Sequence, residues 1–425
     1  MKNLLLIVFI FPVFLYSQER SQLKDELPAP IKAIIDKFRL PDEDLGMYVI
    51  DAKTQSAVMA HNAQDTFIPA SITKIITIYA ALKELGADFT FETELSYKGK
   101  IQEGVLQGDL FLIGRGDPFL TNSHLFDLIH HLRRKGIHTI KGNFYYNDDF
   151  YTFSEKVSDL GLEDQTYNPS VSALSSEFNR IHVYKYGRRT SKSLFIPSPP
   201  LPSLSIEKTK DSLPLGQQFA HEKDPEREIW QVTTRMKYRR LEEIPLRWSS
   251  KHTAERFRLM ANYQGLNIPV SQYGPLSKDL TQIHIHKSLP LIQLGELTLE
   301  YSNNLLAENI LQAFSKSISG KKQTLENSAS LLLDWYKKKY PDIKWHPKTQ
   351  ISRGSGLTAY NFISPKNMTE IVEKIHSDTI GTRVYQSLFP ISGAKGSLAS
   401  RLNDPENTLK VWAKTGSLYY VSALS

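Results

Sequence analysis

The sequence predicts an α/β (α+β) protein in which one domain of helices and strands is interrupted by a mostly β insertion. Apolar residues at helical spacing occur in the first hundred residues and again in the last third of the chain. Between them, from about Phe91 to Arg247, short strands alternate with turns, and no segment repeats with a fixed period. We therefore assign residues 24–92 and 250–425 to the main domain and residues 93–249 to the inserted domain.

The main domain begins with three elements. Apolar spacing predicts a helix over Ile31–Phe38. The β-rich runs Met47–Ile50 and Ser56–Ala60 flank a polar turn and predict a hairpin. The next helix opens at Pro69–Ser71, and Gly86 ends it.

The later elements follow the same rules. In the insertion, Leu106–Leu112 and Gly142–Tyr146 are typical strands, His124–Gly136 is a helix, and the Pro-rich run 197–202 marks a loop. The tail, Leu409–Leu424, is strand-like. Helices are predicted over Ala254–Gln264, Asn303–Lys316, Gln323–Lys338 and Pro365–Ile375.

The N-terminus has the pattern of a signal peptide, predicted over residues 1–17. Lys2 precedes an apolar run, Leu4–Leu15, and the polar residues 17–20 follow directly. An uncleaved membrane anchor is the alternative. Both place the mature protein outside the cytoplasm, in the periplasm or its equivalent.

Composition excludes several classes of site. The 425 residues include no cysteine, which rules out disulfides, a thiolate nucleophile and zinc–thiolate sites. The net charge is +7, with basic clusters at 185–192, 235–240 and 337–339. We interpret these clusters as solvated surfaces that face envelope polymers or anionic lipid, with possible peripheral membrane association, and we expect no nucleic-acid partner.

One S-x-x-K tetrad differs from the others in its context. Ser71 and Lys74 open an apolar-striped helix, where a separation of three residues puts both side chains on one face. A helix N-terminus also favours developing negative charge at Ser71. Four further tetrads lie in polar or irregular sequence: Ser21/Lys24, Ser205/Lys208, Ser319/Lys322 and Ser392/Lys395.

A serine hydroxyl needs a base, and a lysine is a base only when it is neutral. Neutrality near pH 7 costs about 4 kcal/mol relative to an ordinary lysine, which burial and a second cation can supply. We expect Lys414 to be that cation. Ser302 bridges the two amines and relays the proton, and Asn304 offers its amide to the substrate or to Lys74.

The triplet Lys414-Thr415-Gly416 lies in the strand-like tail. A strand edge can pair with an extended peptide, while Lys414 and Thr415 hold its terminal carboxylate and Gly416 permits close approach. The amides of Ser71 and Ser417 would form an oxyanion hole. These residues together predict acylation of Ser71 followed by hydrolysis.

With these motifs, the sequence resembles the low-molecular-mass class C penicillin-binding proteins, the D-Ala-D-Ala carboxypeptidases/endopeptidases. The similar segments, from about residue 46 to the end, are PASITK (69–74), GRGDPFL (114–120), SNNLLAE (302–308), GSGL (354–357) with Ser364-Pro365, FPISGAKGSL (389–398) and AKTGSLYYVSAL (413–424). The resemblance implies a transpeptidase-like domain, as in serine β-lactamases, with an antiparallel sheet flanked by helices. It also implies peptidoglycan stem peptides as substrates, β-lactams as covalent inhibitors, and neither a metal nor a cofactor.

The spacing favours this family over class A β-lactamases. About 230 residues separate Lys74 from Ser302, far more than a loop needs, and the family places its extra domain there. Arg353 stands where the family usually has an aspartate before Gly-Ser-Gly-Leu. A further strand and a long helix normally follow the last motif, so we expect that the sequence is truncated at its C-terminal end.

Histidines and aspartates outside these motifs are further candidates for a functional role. His284 and His286 share one face of a predicted strand, but metal binding needs a third ligand and none is evident nearby. The resemblance implies that an acid near Asp148 and Asp149 contacts the free amine of the stem peptide. Two alternative functions remain open: a serine β-lactamase on the same scaffold, and a non-catalytic penicillin sensor or truncated pseudoenzyme.

Overall fold

The computed structural model describes residues 27–188, 192–235 and 237–425. The predicted signal peptide, residues 1–17, lies outside the described residues. No helix in the described ranges has both the length and the apolar character that a bilayer span requires. Two compact units are present: the first comprises the described residues up to Ala87 with Ile292–Asn303 and Glu326–Ser425, and the second comprises Asp88–Leu291 with Asn304–Leu325.

The first unit contains five helices and three antiparallel strand pairs within its described residues. The strand pairs are β1 with β2, β15 with β16, and β17 with β18, each a separate two-stranded sheet. Its elements are α1 (Ala29–Phe38), β1 (Met47–Ile50), β2 (Ala57–His61), α2 (Thr73–Leu85), α5 (Leu291–Tyr301), α7 (Leu325–Lys339), α8 (Pro365–Ile375), β15 (Thr379–Ile380), β16 (Arg383–Val384), β17 (Thr415–Leu418) and β18 (Val421–Leu424).

Helix α2 forms the centre of the first unit. Every residue from Thr73 to Leu82 is buried, as expected for a helix that is apolar on most of its surface. Two buried tyrosines pack against it and satisfy their hydroxyl groups on its backbone. Tyr336 donates to the carbonyl of Ile76 at 2.9 Å, and Tyr385 donates to that of Ile75 at 2.5 Å.

The second unit is built around a mixed six-stranded sheet. Its strand order is β13-β6-β4-β3-β14, with β5 paired to β4. The helices of the second unit are α3 (Asn122–Arg134), α4 (Ser249–Tyr263) and α6 (Asn304–Ser319). The strands of the whole unit, from all of its sheets, are β3 (Glu92–Gln102), β4 (Val105–Gly114), β5 (Thr139–Ile140), β6 (Phe144–Asn147), β7 (Arg180–Tyr186), β8 (Leu194–Ser198), β9 (Leu204–Thr209), β10 (Phe219–Glu222), β11 (Glu228–Thr233), β12 (Leu241–Pro245), β13 (Ser271–Tyr273) and β14 (Thr281–Lys287).

Two apolar cores stabilise this unit. The first lies between the six-stranded sheet and helices α3 and α4, and includes Leu110, Leu128 and Phe257. The second packs the three-stranded sheets β12-β7-β8 and β10-β11-β9 around Trp230.

A cluster of buried charges joins β11 to α4 in the second unit. His252 contacts Glu228 at 2.9 Å and Glu255 at 3.6 Å, and the side chains of His252 and Glu228 are fully buried. Burial lowers the pKa of His252, but the hydrogen bonds that its ring donates to Glu228 and Glu255 outweigh burial and raise the pKa above its usual value. Burial likewise raises the pKa of Glu228, and the contacts with His252 more than offset it, so that this pKa is low. The cluster is therefore held as ion pairs.

Most predicted elements are confirmed. The hairpin of β1 and β2 and the helix at Pro365–Ile375 have the predicted positions. Helix α5 was not predicted. The tail, predicted as strand-like over Leu409–Leu424, contains two strands, β17 and β18, which pair as a hairpin around Tyr419 and Tyr420. The domain division at 93–249 stays a prediction, since the compact units follow other boundaries.

Candidate active site

Ser71 lies in a short 3-10 turn, Ala70–Ile72, that leads directly into α2. The predicted spacing is confirmed: Lys74 Nζ donates to Ser71 Oγ at 2.9 Å. Ala70, just before the serine, has a φ of +48°, a left-handed conformation that is uncommon for a residue with a side chain. Such local strain is typical of functional sites.

The Lys74 side chain is fully buried. Its ammonium nitrogen also donates to the main-chain carbonyl of Ser355 at 2.6 Å. A hydroxyl and a carbonyl thus lie within hydrogen-bond distance of this amine, which fixes it beside Ser71. Since burial penalises the charged form of an amine, this environment suits a base.

The segment that carries Ser355 packs tightly on the start of α2. A Cβ atom at Gly356 would lie 1.8 Å from the carbonyl oxygen of Ala70, and Gly356 has a φ of +76°. Thr77 Oγ1 donates to the carbonyl of Gly354 at 2.8 Å. Only a glycine allows this approach, which explains why position 356 needs a glycine.

Lys414 is the second fully buried lysine of the first unit. Its Nζ donates to Ser302 Oγ at 2.9 Å and to the carbonyl of Thr415 at 2.7 Å. Burial lowers its pKa to about 8. One of the two contacts required by the predicted serine bridge, that between Ser302 and Lys414, is therefore present.

Ser302 follows the C-terminal end of α5. Its φ of +56° is a left-handed conformation that is uncommon for a residue with a side chain. Its hydroxyl accepts the hydrogen bond from the Lys414 ammonium.

Strand β17 runs beside the turn that carries Ser71. A Cβ atom at Gly416 would lie 2.8 Å from the carbonyl oxygen of Pro69 and 3.0 Å from the amide nitrogen of Ser71. The predicted close approach is present, but it is to the Ser71 turn of the protein itself. Ser417, the next residue, is exposed and pairs with Ser422 of β18.

Thr415 reveals a polar neighbour that the sequence reasoning did not place at the site. Its Oγ1 donates to Ser397 Oγ at 2.9 Å. Ser397 lies in the motif stretch 389–398, so the signal was present in the sequence. What was missing was the fold that brings this stretch to β17.

Asn304 is the first residue of α6 and belongs to the second unit. Within that unit its Nδ2 donates to the carbonyl of Tyr167 at 2.9 Å. The role predicted for its amide, a contact with substrate or with Lys74, stays a prediction.

Arg353 has a structural partner. Its guanidinium forms an ion pair with Glu326 at 2.6 Å and donates to the carbonyl of Ser352 at 2.8 Å. The arginine that replaces the usual aspartate is therefore neutralised within the first unit.

The two aspartates of the insertion differ in protonation chemistry. Burial raises the pKa of Asp148, which accepts a hydrogen bond from Ser250. Hydrogen bonds from Tyr273 at 2.8 Å and Asn147 at 2.9 Å lower the pKa of Asp149. The implied contact with a peptide amine stays a prediction.

The first unit thus holds a serine hydroxyl beside a buried amine and a second buried amine beside another serine. The serine–lysine pair is equipped for nucleophilic attack on a carbonyl and for proton transfer to a leaving group. The strand carrying Lys414 offers a cation and a hydroxyl for an anionic substrate group.

The family model for the D-Ala-D-Ala carboxypeptidase 3 (S13) family matches residues 27–214 and 264–425. A D-alanyl-D-alanine carboxypeptidase of Actinomadura sp. is 33% identical over 153 residues, which cover 35% of this chain and 28% of that protein. The D-alanyl-D-alanine carboxypeptidase DacB of Haemophilus influenzae is 24% identical over 396 residues, 89% of this chain and 81% of that protein.

The crystal structure of penicillin binding protein 4 from Haemophilus influenzae superposes with a TM-score of 0.80 at 22% identity, over 93% of this chain and 88% of that one. The predicted α/β fold with its β-rich insertion is confirmed. So is the predicted family, because its model matches most of the sequence: the chain belongs to the D-Ala-D-Ala carboxypeptidase 3 (S13) family.

Proposed function

We propose that this chain is a serine D-Ala-D-Ala carboxypeptidase/endopeptidase that acts on peptidoglycan stem peptides through an acyl-enzyme on Ser71. The observation that carries the proposal is the 2.9 Å hydrogen bond between the Ser71 hydroxyl and the buried Lys74 amine. Membership of the S13 family supplies the class of reaction, and the serine–lysine geometry supplies the nucleophile and its base.

In the acylation step, neutral Lys74 takes the proton of Ser71 while Oγ forms a bond to the scissile carbonyl carbon. The resulting tetrahedral oxyanion is stabilised by the amides of Ser71 and Ser417. When the carbon–nitrogen bond breaks, the proton passes to the departing amine of the terminal D-alanine. Lys74 is then neutral again, and protons and electrons balance.

The residues at the start of β17 orient the substrate. Lys414 and Thr415, with Ser397 behind Thr415, bind the terminal carboxylate of the peptide. Support comes from the burial of Lys414, which strengthens its interaction with an anion, and from the 2.9 Å contact between Thr415 and Ser397. The Ser302 hydroxyl keeps the Lys414 ammonium in place.

Deacylation uses water. Lys74 accepts a proton from the water as the water oxygen attacks the ester carbon. The bond between that carbon and Ser71 Oγ then breaks, and Lys74 returns the proton to Oγ, so that Ser71 is released as the free hydroxyl. A β-lactam reacts in the same way with the amide bond of its ring. Its leaving nitrogen stays attached to the acyl group and blocks the water, so the adduct persists.

The enzyme is exported in this proposal. A peptidoglycan substrate lies outside the cytoplasm, and residues 2–20 have the charge and apolar pattern of a signal peptide. N-terminal sequencing of the protein from the periplasmic fraction of its host tests this point. An N-terminus near residue 18 is expected, and Met1 in a cytoplasmic fraction would contradict it.

The activity is tested by mass spectrometry of D-alanine released from a stem pentapeptide by wild-type protein and by Ser71→Ala. We expect release by wild type and none above background by the variant. The exposed Ser377→Ala is the matched control for loss of a serine side chain, because Ser377 has no role in the proposed reaction. Equal release by wild type and Ser71→Ala would overturn the proposal.

A further inference from the structure

Two stacked histidine pairs join α3 to β14 in the second unit. The rings of His131 and His284 lie 3.6 Å apart with an interplanar angle of 7°. The rings of His124 and His286 stack at 4.3 Å. The proposed acylation chemistry uses none of these histidines.

One pair has an acidic neighbour at ligand spacing. Asp127 precedes His131 by one helical turn, and Asp127 Oδ2 lies 3.8 Å from His131 Nε2. One ligand atom each from Asp127, His131 and His284 lies within 4.8 Å of the other two. The helix thus supplies two ligands and the strand one, and His286 is not among them.

The three groups are available to a ligand. Neither ring nitrogen of His284 forms a hydrogen bond within the described part of the chain, and the Asp127 side chain is 56% exposed.

The surrounding charge also favours a cation. His131 lies in the last turn of α3, where the helix dipole presents its negative end. The nearby Arg133 is directed elsewhere, because its guanidinium donates to the carbonyl of Gln264 at 2.9 Å.

We propose that Asp127, His131 and His284 form a binding site for a divalent transition-metal ion, with Zn²⁺ as the best-fitting ion. Two imidazoles and one carboxylate are a common zinc ligand set, and water completes the tetrahedron. The imidazole rings turn out of their parallel stack when the ion binds, because both lone pairs have to point at one centre.

The other histidine pair differs. The His286 ring lies 3.4 Å from Asp117, which is almost fully buried, and has His124 stacked on it. Within the described ranges, only the trio of Asp127, His131 and His284 meets the distance condition for three ligands. The ion would tie α3 to the edge strand β14 and stabilise the second unit by binding only its folded form.

The site is tested with ZnCl₂ alone, by isothermal titration calorimetry and thermal unfolding of the full chain. We expect one Zn²⁺ to bind to wild type and to raise its unfolding temperature. His284→Ala and His131→Ala lower the affinity at least tenfold. His130→Ala is the matched control, since it removes the adjacent histidine of the same helix, and it keeps wild-type affinity.

Anomalous diffraction at the zinc edge locates the ion independently of these affinities. Density between α3 and β14 within about 2.3 Å of the three ligands supports the site. No binding to wild type, or equal affinity in wild type and both ligand variants, would overturn it.

Discussion

The two units treat buried charge in opposite ways. In the second unit, His252 lies between Glu228 and Glu255, so that both buried carboxylates pair with one imidazolium. In the first unit, Lys414 is equally buried but contacts only a hydroxyl and a carbonyl, and no carboxylate of the described residues lies within ion-pair distance of it. Burial alone sets its pKa, at about 8.

The comparison separates buried charges that stabilise the fold from a buried charge that is kept for the reaction. A buried ion pair rigidifies a fold, whereas a buried cation without a counter-ion stays ready for an anion that arrives with the substrate. Lys74 is also buried, and its hydrogen bonds to the Ser71 hydroxyl and the Ser355 carbonyl hold it beside Ser71. We therefore expect substitutions in the His252 cluster of the second unit to lower the free energy of unfolding. Substitutions of the buried lysines of the first unit are expected to lower the rate of the reaction.

The largest expected effect is on the paired cluster. Glu228→Ala removes the main ion-pair partner of His252. It also removes the acceptor of the Trp230 indole, which donates to Glu228 at 2.8 Å. Removing one member of a buried pair costs about 3–5 kcal/mol of unfolding free energy. Urea denaturation measures the change, with exposed Glu226→Ala as the matched control. Equal stability of the two variants would break the comparison.

Next in size is the effect of the two buried lysines on reactivity. Lys74→Ala and Lys414→Ala each lower the rate of acylation by labelled penicillin about 10²-fold or more, because one removes the base and the other the electrostatic anchor. The exposed Lys338→Ala is the control and keeps the wild-type rate. Wild-type acylation in either variant contradicts the assigned roles.

The pH dependence sharpens the assignment of Lys414. Its pKa of about 8 means that the binding cation is lost as the pH rises above that value. We expect kcat/KM for a carboxylate-terminated peptide to fall about tenfold per pH unit on the alkaline side. In Lys414→Arg the guanidinium stays charged, so the alkaline fall in kcat/KM moves to higher pH. An alkaline fall at the same pH in that variant would show that Lys414 does not cause it.

Stability should respond to pH with the opposite sign. The unfolded lysine has a pKa of about 10.4, so between about 8 and 10.4 the unfolded chain binds more protons than the folded one. The destabilising contribution of Lys414 is therefore complete below about pH 8 and is relieved as the pH rises to 10.4. Comparing the stabilities of wild type and Lys414→Met across this range isolates the contribution.

The smallest expected effect is at Arg353. Its partner Glu326 is 58% exposed, so solvent screens the ion pair. Arg353→Ala lowers the unfolding free energy by about 0.5–1 kcal/mol and leaves acylation by penicillin at the wild-type rate. The exposed Lys348→Ala is the control for loss of a positive charge. A tenfold drop in acylation would show that Arg353 has a role in the reaction.

Local signals were enough where the chain itself fixes the structure. Helix α8 begins at Pro365 as predicted, because the Ser364 hydroxyl accepts from the Asn367 amide and proline suits the first helical position. The Ser71–Lys74 contact was also predictable, since helical geometry sets it. The hairpin turn at Tyr419 and Tyr420 was not, because neither residue is a usual turn former.

Long-range packing accounts for what the sequence could not show. The carbonyl of Ser355 reaches Lys74 across 281 residues, and only the folded chain reveals this contact. The Thr415–Ser397 pair and the approach of Asp127 and His131 to His284 depend in the same way on which elements pack together.

The central claim is that the hydroxyl of Ser71 is the nucleophile. The most direct test is digestion of the penicillin-treated protein and mass-spectrometric mapping of the adduct. The account predicts one penicilloyl group per chain, attached to Ser71, and no adduct in Ser71→Ala. An adduct on any other residue, Ser302 included, or one that persists in Ser71→Ala, would contradict it.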